Sequence, residues 1–251
     1  MTPAVASTLS DAQLRELLDL IGDVGRAELK VTVPESAHLD AAKALGIDPI
    51  DGHLRQVYFF DTPDLELNSG GLVLRARRIQ GRRGDSVVKM RPVVPRELPE
   101  SLRGDPRFTV ELDAMPGAFV CSGTLKRKAG NAEVQEVISG AGIEKLFSAG
   151  QRSLVEAHSR PGVFDDLIVL GPILVVKAGF APEGLDRRMV AELWLYPDGS
   201  RLLELSTKCE PREAFHAAAE ARAFLGGRGI DLSGEQETKT RKALALFAGR
   251  P

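Results

Sequence analysis

The sequence predicts an α+β chain built on an antiparallel β-sheet. Short segments alternate apolar and polar residues with period two, most follow one another without a helix of crossover length, and Pro197-Asp198-Gly199 marks a tight hairpin. Antiparallel neighbours need only a turn, whereas parallel ones need a crossover of a dozen or more residues, so antiparallel pairing is favoured.

Ser10 with Gln13 three residues on is a capping-box signal, and Leu14, Leu17, Leu18 and Ile21 recur at helical spacing until Gly22. This predicts an amphipathic helix within residues 1–25. In residues 26–33 the period changes: Arg26, Glu28, Lys30 and Thr32 alternate with Ala27, Leu29, Val31 and Val33, giving a strand with one polar and one apolar face that Pro34 ends. Residues 36–45 read as a helix closed by Gly46. Strands are predicted at 54–61, 72–79, 86–91 and 107–113, with a turn or short helix over 61–71 and a Pro-rich surface excursion over 92–106. Residues 115–149 read as helical, with Val134, Val137 and Ile138 as the buried stripe. Further strands are predicted at 152–159, 167–177, 187–196 and 201–208, and closing helices at 212–225 and 235–247.

With 251 residues, 43% of them hydrophobic, the chain can bury a sizeable core as one domain over 1–251. Its 33 Lys+Arg against 35 Asp+Glu argue against coating a polyanion, so neither nucleic acid nor an acidic membrane surface is expected as partner. Cys121 and Cys209 are too few and too far apart for a disulfide framework or a cysteine zinc site. The N-terminus lacks a basic start followed by an apolar core. The longest apolar stretch, 167–176, is broken by Gly171 and Pro172, and a soluble cytoplasmic setting is the expectation.

Several strands carry charges in i, i+2 register: Glu28 with Lys30, Arg75 with Arg77, Lys89 with Arg91, Glu111 with Asp113. Period two places each set on one face. Residues 75–91 hold seven basic residues and one acid, Asp85, and no aromatic side chain of the kind on which single-stranded nucleic acid stacks. From pattern alone the solvated face of an antiparallel sheet is favoured over the wet interior of a barrel. The four histidines lack metal-ligand spacing, Trp194 reads as a packing residue, and no Walker-type loop or Gly-x-Ser-x-Gly elbow is present.

The order of motifs is more specific. Glu28-Leu-Lys30, then Tyr58-Phe-Phe-Asp61-Thr62-Pro63-Asp-Leu65, then Leu72-Val-Leu-Arg75-Ala-Arg77 resembles the CYTH superfamily, the triphosphate tunnel metalloenzymes, and the likeness continues to the C-terminal helix. The resemblance implies an eight-stranded antiparallel barrel whose charged tunnel holds a triphosphate-containing small molecule in a monomer or homodimer. It also implies hydrolysis aided by magnesium or manganese, with inorganic tripolyphosphate the favoured substrate. Adenylate cyclisation, or binding without turnover, is the alternative. By the same resemblance Lys30, Arg75, Arg77, Lys89, Arg91, Arg152, Arg188, Lys208 and Lys239 are the phosphate ligands. Glu28, Lys30, Glu111 and Glu192 are the catalytic candidates, and Glu28 and Glu204 the metal ligands. These types suit the task, because Arg forks grip phosphate oxygens and carboxylates suit hard divalent cations. Two positions depart from the pattern. Arg26 and Ser206 stand where the superfamily carries carboxylates, which weakens or removes the expected metal site and motivates the binding-only alternative.

Overall fold

The alternating segments pair until no sheet edge is left. The computed structural model describes residues 10–232 and 234–248; the first nine residues, grouped on sequence with the N-terminal helix, lie outside them. The strands are β1 (Arg26–Val33), β2 (His53–Asp61), β3 (Leu72–Ile79), β4 (Arg82–Met90), β5 (Phe108–Met115), β6 (Ala118–Ala129), β7 (Ile168–Phe180), β8 (Met189–Leu195) and β9 (Arg201–Cys209). They form a closed barrel in the order β1-β5-β6-β4-β3-β2-β7-β8-β9. Eight contacts are antiparallel, and β1 runs parallel to β5. The helices are α1 (Asp11–Ile21), α2 (His38–Ala44), α3 (Glu66–Ser69), α4 (Glu100–Arg103), α5 (Asn131–Ile138), α6 (Ala149–Glu156), α7 (Ala214–Gly227) and α8 (Lys239–Ala248).

Two sequence expectations about single elements are corrected, one strand gained and one lost, and the closed barrel has nine strands where the resemblance implied eight. Residues 118–129 form β6 instead of helix, because Met115-Pro116-Gly117 is a turn, with Gly117 at φ +76°, that returns the chain alongside β5. Residues 152–159 are not a strand. Ser148 accepts from the Gln151 amide and Gln151 bonds back to the Ser148 N–H, a capping box that starts α6, and Leu154 and Val155 are its buried face. The Ser10–Gln13 box starts α1 as expected, and Gly199 turns the β8–β9 hairpin at φ +85°.

The Asp61-Thr62-Pro63 turn is a cap. Buried Asp61 accepts from the amides of Thr62, Leu67 and Asn68, and Thr62 Oγ1 from the amide of Glu66, so one carboxylate fixes the return from β2 through α3 to β3.

Period two gives every strand an outer and an inner face. The outer face packs under helices: Ala27, Leu112 and Val134 belong to one apolar cluster with Leu146 and Phe147, and Val31, Val33 and Leu205 to another with Leu225 of α7. On the inner face, Val57, Phe59, Val73, Ile173, Trp194 and Leu202 pack against Ala243, Leu244 and Phe247 of α8. Helix α8 therefore closes one end of the barrel with an apolar plug. The far end, beside the β3–β4 turn, exposes Arg82, Arg83, Lys126 and Lys128.

At Gly84 the strands approach too closely for a side chain, since an added Cβ would lie 1.8 Å from the Arg77 carbonyl oxygen, next to the register shift at Arg77/Ile79. Gly84→Ala should therefore destabilise the protein by about 1–3 kcal/mol through overpacking. The denaturant midpoint checks this; an unchanged midpoint would mean that the β3–β4 pair relaxes freely.

Candidate functional site

The inner face between the plug and the open mouth is charged on nearly every strand. From β1 come Glu28 and Lys30, from β3 Arg75 and Arg77, from β4 Asp85 and Lys89, from β5 Glu111 and Asp113, from β8 Glu192, and from β9 Glu204 and Lys208. Arg91 follows directly on β4. Helix α8 adds Lys239 from its first turn, and β2 and β7 add Arg55 and Lys177.

Two networks hold most of these charges. Asp113 accepts from Lys30 and Lys89, each at 2.7 Å, and from Ser122 Oγ at 3.0 Å, while Lys30 also lies 3.0 Å from Glu28. Burial would raise the Asp113 pKa, but Lys30 and Lys89 outweigh it and hold the carboxyl far below its usual range. Burial would lower the Lys30 pKa, and Asp113, Glu28 and Glu204 overcome it. Lys89 has fewer acids around it. Burial, reinforced by Arg91 and Lys30 and only partly opposed by Asp113, brings its amine down to about 8.

In the second network Glu192 accepts from Lys177 at 2.5 Å, from Lys239 and from the Trp194 indole at 3.2 Å, and Glu204 accepts from Lys239 at 2.8 Å. Burial pushes Glu192 up, and the two ammonium groups pull it well below its usual value. Nearer the mouth, Arg77 binds Asp85 through two bonds of 2.7 and 2.6 Å, and Lys126 adds a third contact at 2.9 Å.

The guanidiniums left over define the site. Arg75 forms no hydrogen bond or ion pair among the described residues, and its Nε is sealed from solvent without a partner. The Nε atoms of Arg55 and Arg91 are in the same condition, Arg91 reaching only to 4.0 Å from Asp113. Burial, with Arg77 adding to it, lowers the Arg75 pKa to about 10, which still leaves it cationic at neutral pH. A buried, unpaired guanidinium is costly.

No protein-family profile matches the chain, and neither does any curated protein. Solved structures do. A candidate adenylyl cyclase from Hippeastrum, described as revealing a dominant triphosphatase activity, superposes with a TM-score of 0.63 at 19% identity over 87% of this chain and 95% of its own. A candidate adenylate cyclase from Bacillus halodurans superposes with a TM-score of 0.61 at 16% identity over 87% of this chain and 97% of its own. The fold is the CYTH-type tunnel.

Within the tunnel, Glu28, Lys30, Arg75, Arg77, Lys89, Arg91, Glu111, Glu192, Glu204, Lys208 and Lys239 share the inner face, the placement that the resemblance implied and that pattern alone did not favour. Lys208 lies at the edge, half-exposed and 2.8 Å from Glu111. Arg188 sits exposed in the turn before β8. Arg152 does not reach the tunnel, because it belongs to α6 outside the barrel and donates to the Phe147 carbonyl at 2.6 Å. The sequence reading missed Arg55 and Lys177 as site residues and offered Asp113 only as an acid that could compensate for Arg26 and Ser206. Asp113 was legible as the i, i+2 partner of Glu111; Lys177 has only Val175 and Gly179 at that spacing, and Arg55 was hidden by the apolar run that follows it.

The carboxylates do not fit the expected magnesium or manganese. A hard divalent cation needs several oxygen ligands free to converge, whereas each tunnel carboxylate already contacts an ammonium or guanidinium. Among the described residues no three His, Cys, Asp or Glu gather into a metal-sized group. Ser206, buried opposite Lys30 in the β1–β9 register, and exposed Arg26, opposite Glu111, add no carboxylate.

The depressed carboxylates fix the sign of acid sensitivity. For Asp85, Asp113 and Glu192 the folded pKa lies below the unfolded one, so their stabilisation is present above the ordinary carboxylate range and is lost as pH falls below about 4.5. Stability measured from pH 6 to pH 3 should drop steeply for the native chain and less steeply for Asp113→Asn; equal slopes would show that Asp113 is not held ionised by Lys30 and Lys89.

Proposed function

We propose that the tunnel binds the triphosphate group of a small molecule, with inorganic tripolyphosphate as the simplest ligand. The observation that carries this is the unpartnered guanidinium of Arg75, buried in a lumen whose lysines and Arg77 are already matched by carboxylates while Arg55 and Arg91 keep unpartnered Nε atoms. Lys30 and Lys89 lie on the same inner face and hold their charge against Asp113 in a way that phosphate oxygens could share.

Hydrolysis of that ligand is the second reading, favoured by the triphosphatase activity described for the Hippeastrum protein of the same fold. Water would attack the terminal phosphorus while the bond to the bridging oxygen breaks, and the charge gathering on the departing diphosphate would fall to Arg75, Arg77 and Arg91. Such reactions depend chiefly on positioning and charge neutralisation. Glu28, Glu111 and Glu192 are the carboxylates on the inner face that could orient the water. Cyclisation of a nucleotide draws less support: the inner-face aromatics Phe59, Trp194 and Tyr196 are packed into the cluster beneath α8, away from any base entering by the mouth.

Calorimetric titration with tripolyphosphate in the presence of a chelator should show binding, and Arg75→Ala should weaken it on the order of tenfold to a hundredfold, the loss expected for one charged hydrogen-bonding group. No binding by the native chain, or unchanged affinity in the variant, would remove the proposal. Phosphate release, assayed with and without magnesium or manganese, separates turnover from binding alone.

A further inference from the structure

We propose that the cleft between α7 and the outer barrel wall binds a small molecule with one apolar chain and one anionic head, of which a medium-chain carboxylate is the simplest. The cleft lies outside the lumen, against the outer face of β1 and β9, and does not rest on the triphosphate reading. The sequence makes it. The parallel ladder between β1 and β5 ends at the Leu29–Ala114 pair, although β1 runs on to Val33 beside β9. Two residues further along, Pro116 has no N–H with which to extend that ladder. The chain after α7 covers this stretch of β1 instead: the Thr32 amide donates to Gln236 Oε1 at 2.9 Å, and Gln236 Nε2 donates to the Thr32 carbonyl at 3.3 Å. On the facing side α7 presents Ala218, Ala221 and Gly226, which are too short to fill the space against the wall. What remains is a cavity of about 620 Å³, within the range of small-molecule sites.

The lining selects the ligand. Leu29, Val31, Met115, Met189, Leu205 and Leu225 give an apolar interior, and the two methionines can adapt to a flexible chain. The polar groups are mostly committed. Thr207 Oγ1 donates to the Arg188 carbonyl at 2.9 Å, and Gln236 is held by Thr32 and Gly234. Asp231, the one acid of the lining, is engaged within the chain, and Lys30 gives its ammonium to Asp113 on the inner face. Arg222 differs: exposed on α7 at the rim, it forms no hydrogen bond or ion pair among the described residues. One uncommitted cation beside an apolar floor fits an amphipathic anion, whose chain leaves water while its head stays at the surface.

The test is a titration of the full chain, labelled with carbon-13 at its methionine methyl groups, with decanoate below its micelle concentration. The Met115 and Met189 signals should shift saturably, while that of Met90, which does not line the cleft, should stay in place. Butyrate, with the same head and a short chain, should not saturate the site. Decanol, with the same chain and no charge, should bind about threefold to tenfold more weakly, and Arg222→Gln should lose a similar factor for decanoate, the size of one exposed charge pair. Ala221→Leu, which fills the cavity, should weaken decanoate further. Absence of saturable shifts at Met115 and Met189, equal binding of decanol, or unchanged affinity in Arg222→Gln would overturn the site. Co-sedimentation with anionic phospholipid vesicles in place of saturable decanoate binding would make the cleft a membrane contact and overturn it likewise.

Discussion

The structure depends on keeping many charges of both signs inside a closed barrel. A buried charge is tolerable only when paired and hydrogen-bonded, and Asp113 shows how this is met: one carboxylate takes two lysines and a hydroxyl from three different strands. Glu192 does the same for Lys177 and Lys239, which ties the C-terminal helix to β7 and β8 by charge as well as by the apolar plug. The barrel wall and its lumen are therefore one cooperative unit.

That arrangement leaves a graded interior. At the α8 end the inner face is apolar and sealed; in the middle acids and lysines are matched; toward Arg75, Arg77 and the mouth cations run ahead of acids. The gradient comes from strand positions, since each strand keeps one face throughout and changes only the residue type along it. Net charge near zero for the whole chain conceals this, because the acids that balance the sum lie largely outside the mouth.

Much of this was legible in the sequence wherever period and turn chemistry agreed. The strands 54–61 and 72–79, the Ser10 box and the Pro197–Gly199 hairpin follow from local rules. Residues 118–129 and 152–159 did not, for opposite reasons, whereas the expected helix with Val134 and Val137 buried is α5. In β6 a positive-φ glycine after proline set a hairpin that the apolar spacing did not announce, and in α6 a Ser148–Gln151 box was overlooked beside a run that alternates as a strand would. The inner face as a set was readable from i, i+2 charges, but the side of the sheet on which they fall was not. Period two is blind to inside and outside until the sheet closes.

Lys239, assigned to the tunnel by resemblance, illustrates what local pattern does not show and closure does. It sits in the first turn of a helix, where a lysine reads as an exposed residue of an amphipathic segment, and the fold carries it into the barrel between Glu192 and Glu204. A lysine bound to two carboxylates supplies the local positive charge that those acids require, and it does so as part of the chain. Since Glu192 and Glu204 are register partners on adjacent strands, their mutual repulsion would oppose closure of β8 on β9 without a cation between them. The ammonium of Lys239 therefore links two functions of α8, sealing the barrel with its apolar side chains and neutralising the acids beside the seal. Among the described residues Arg75 has no such direct ion pair, which is the feature on which the proposed anion binding rests.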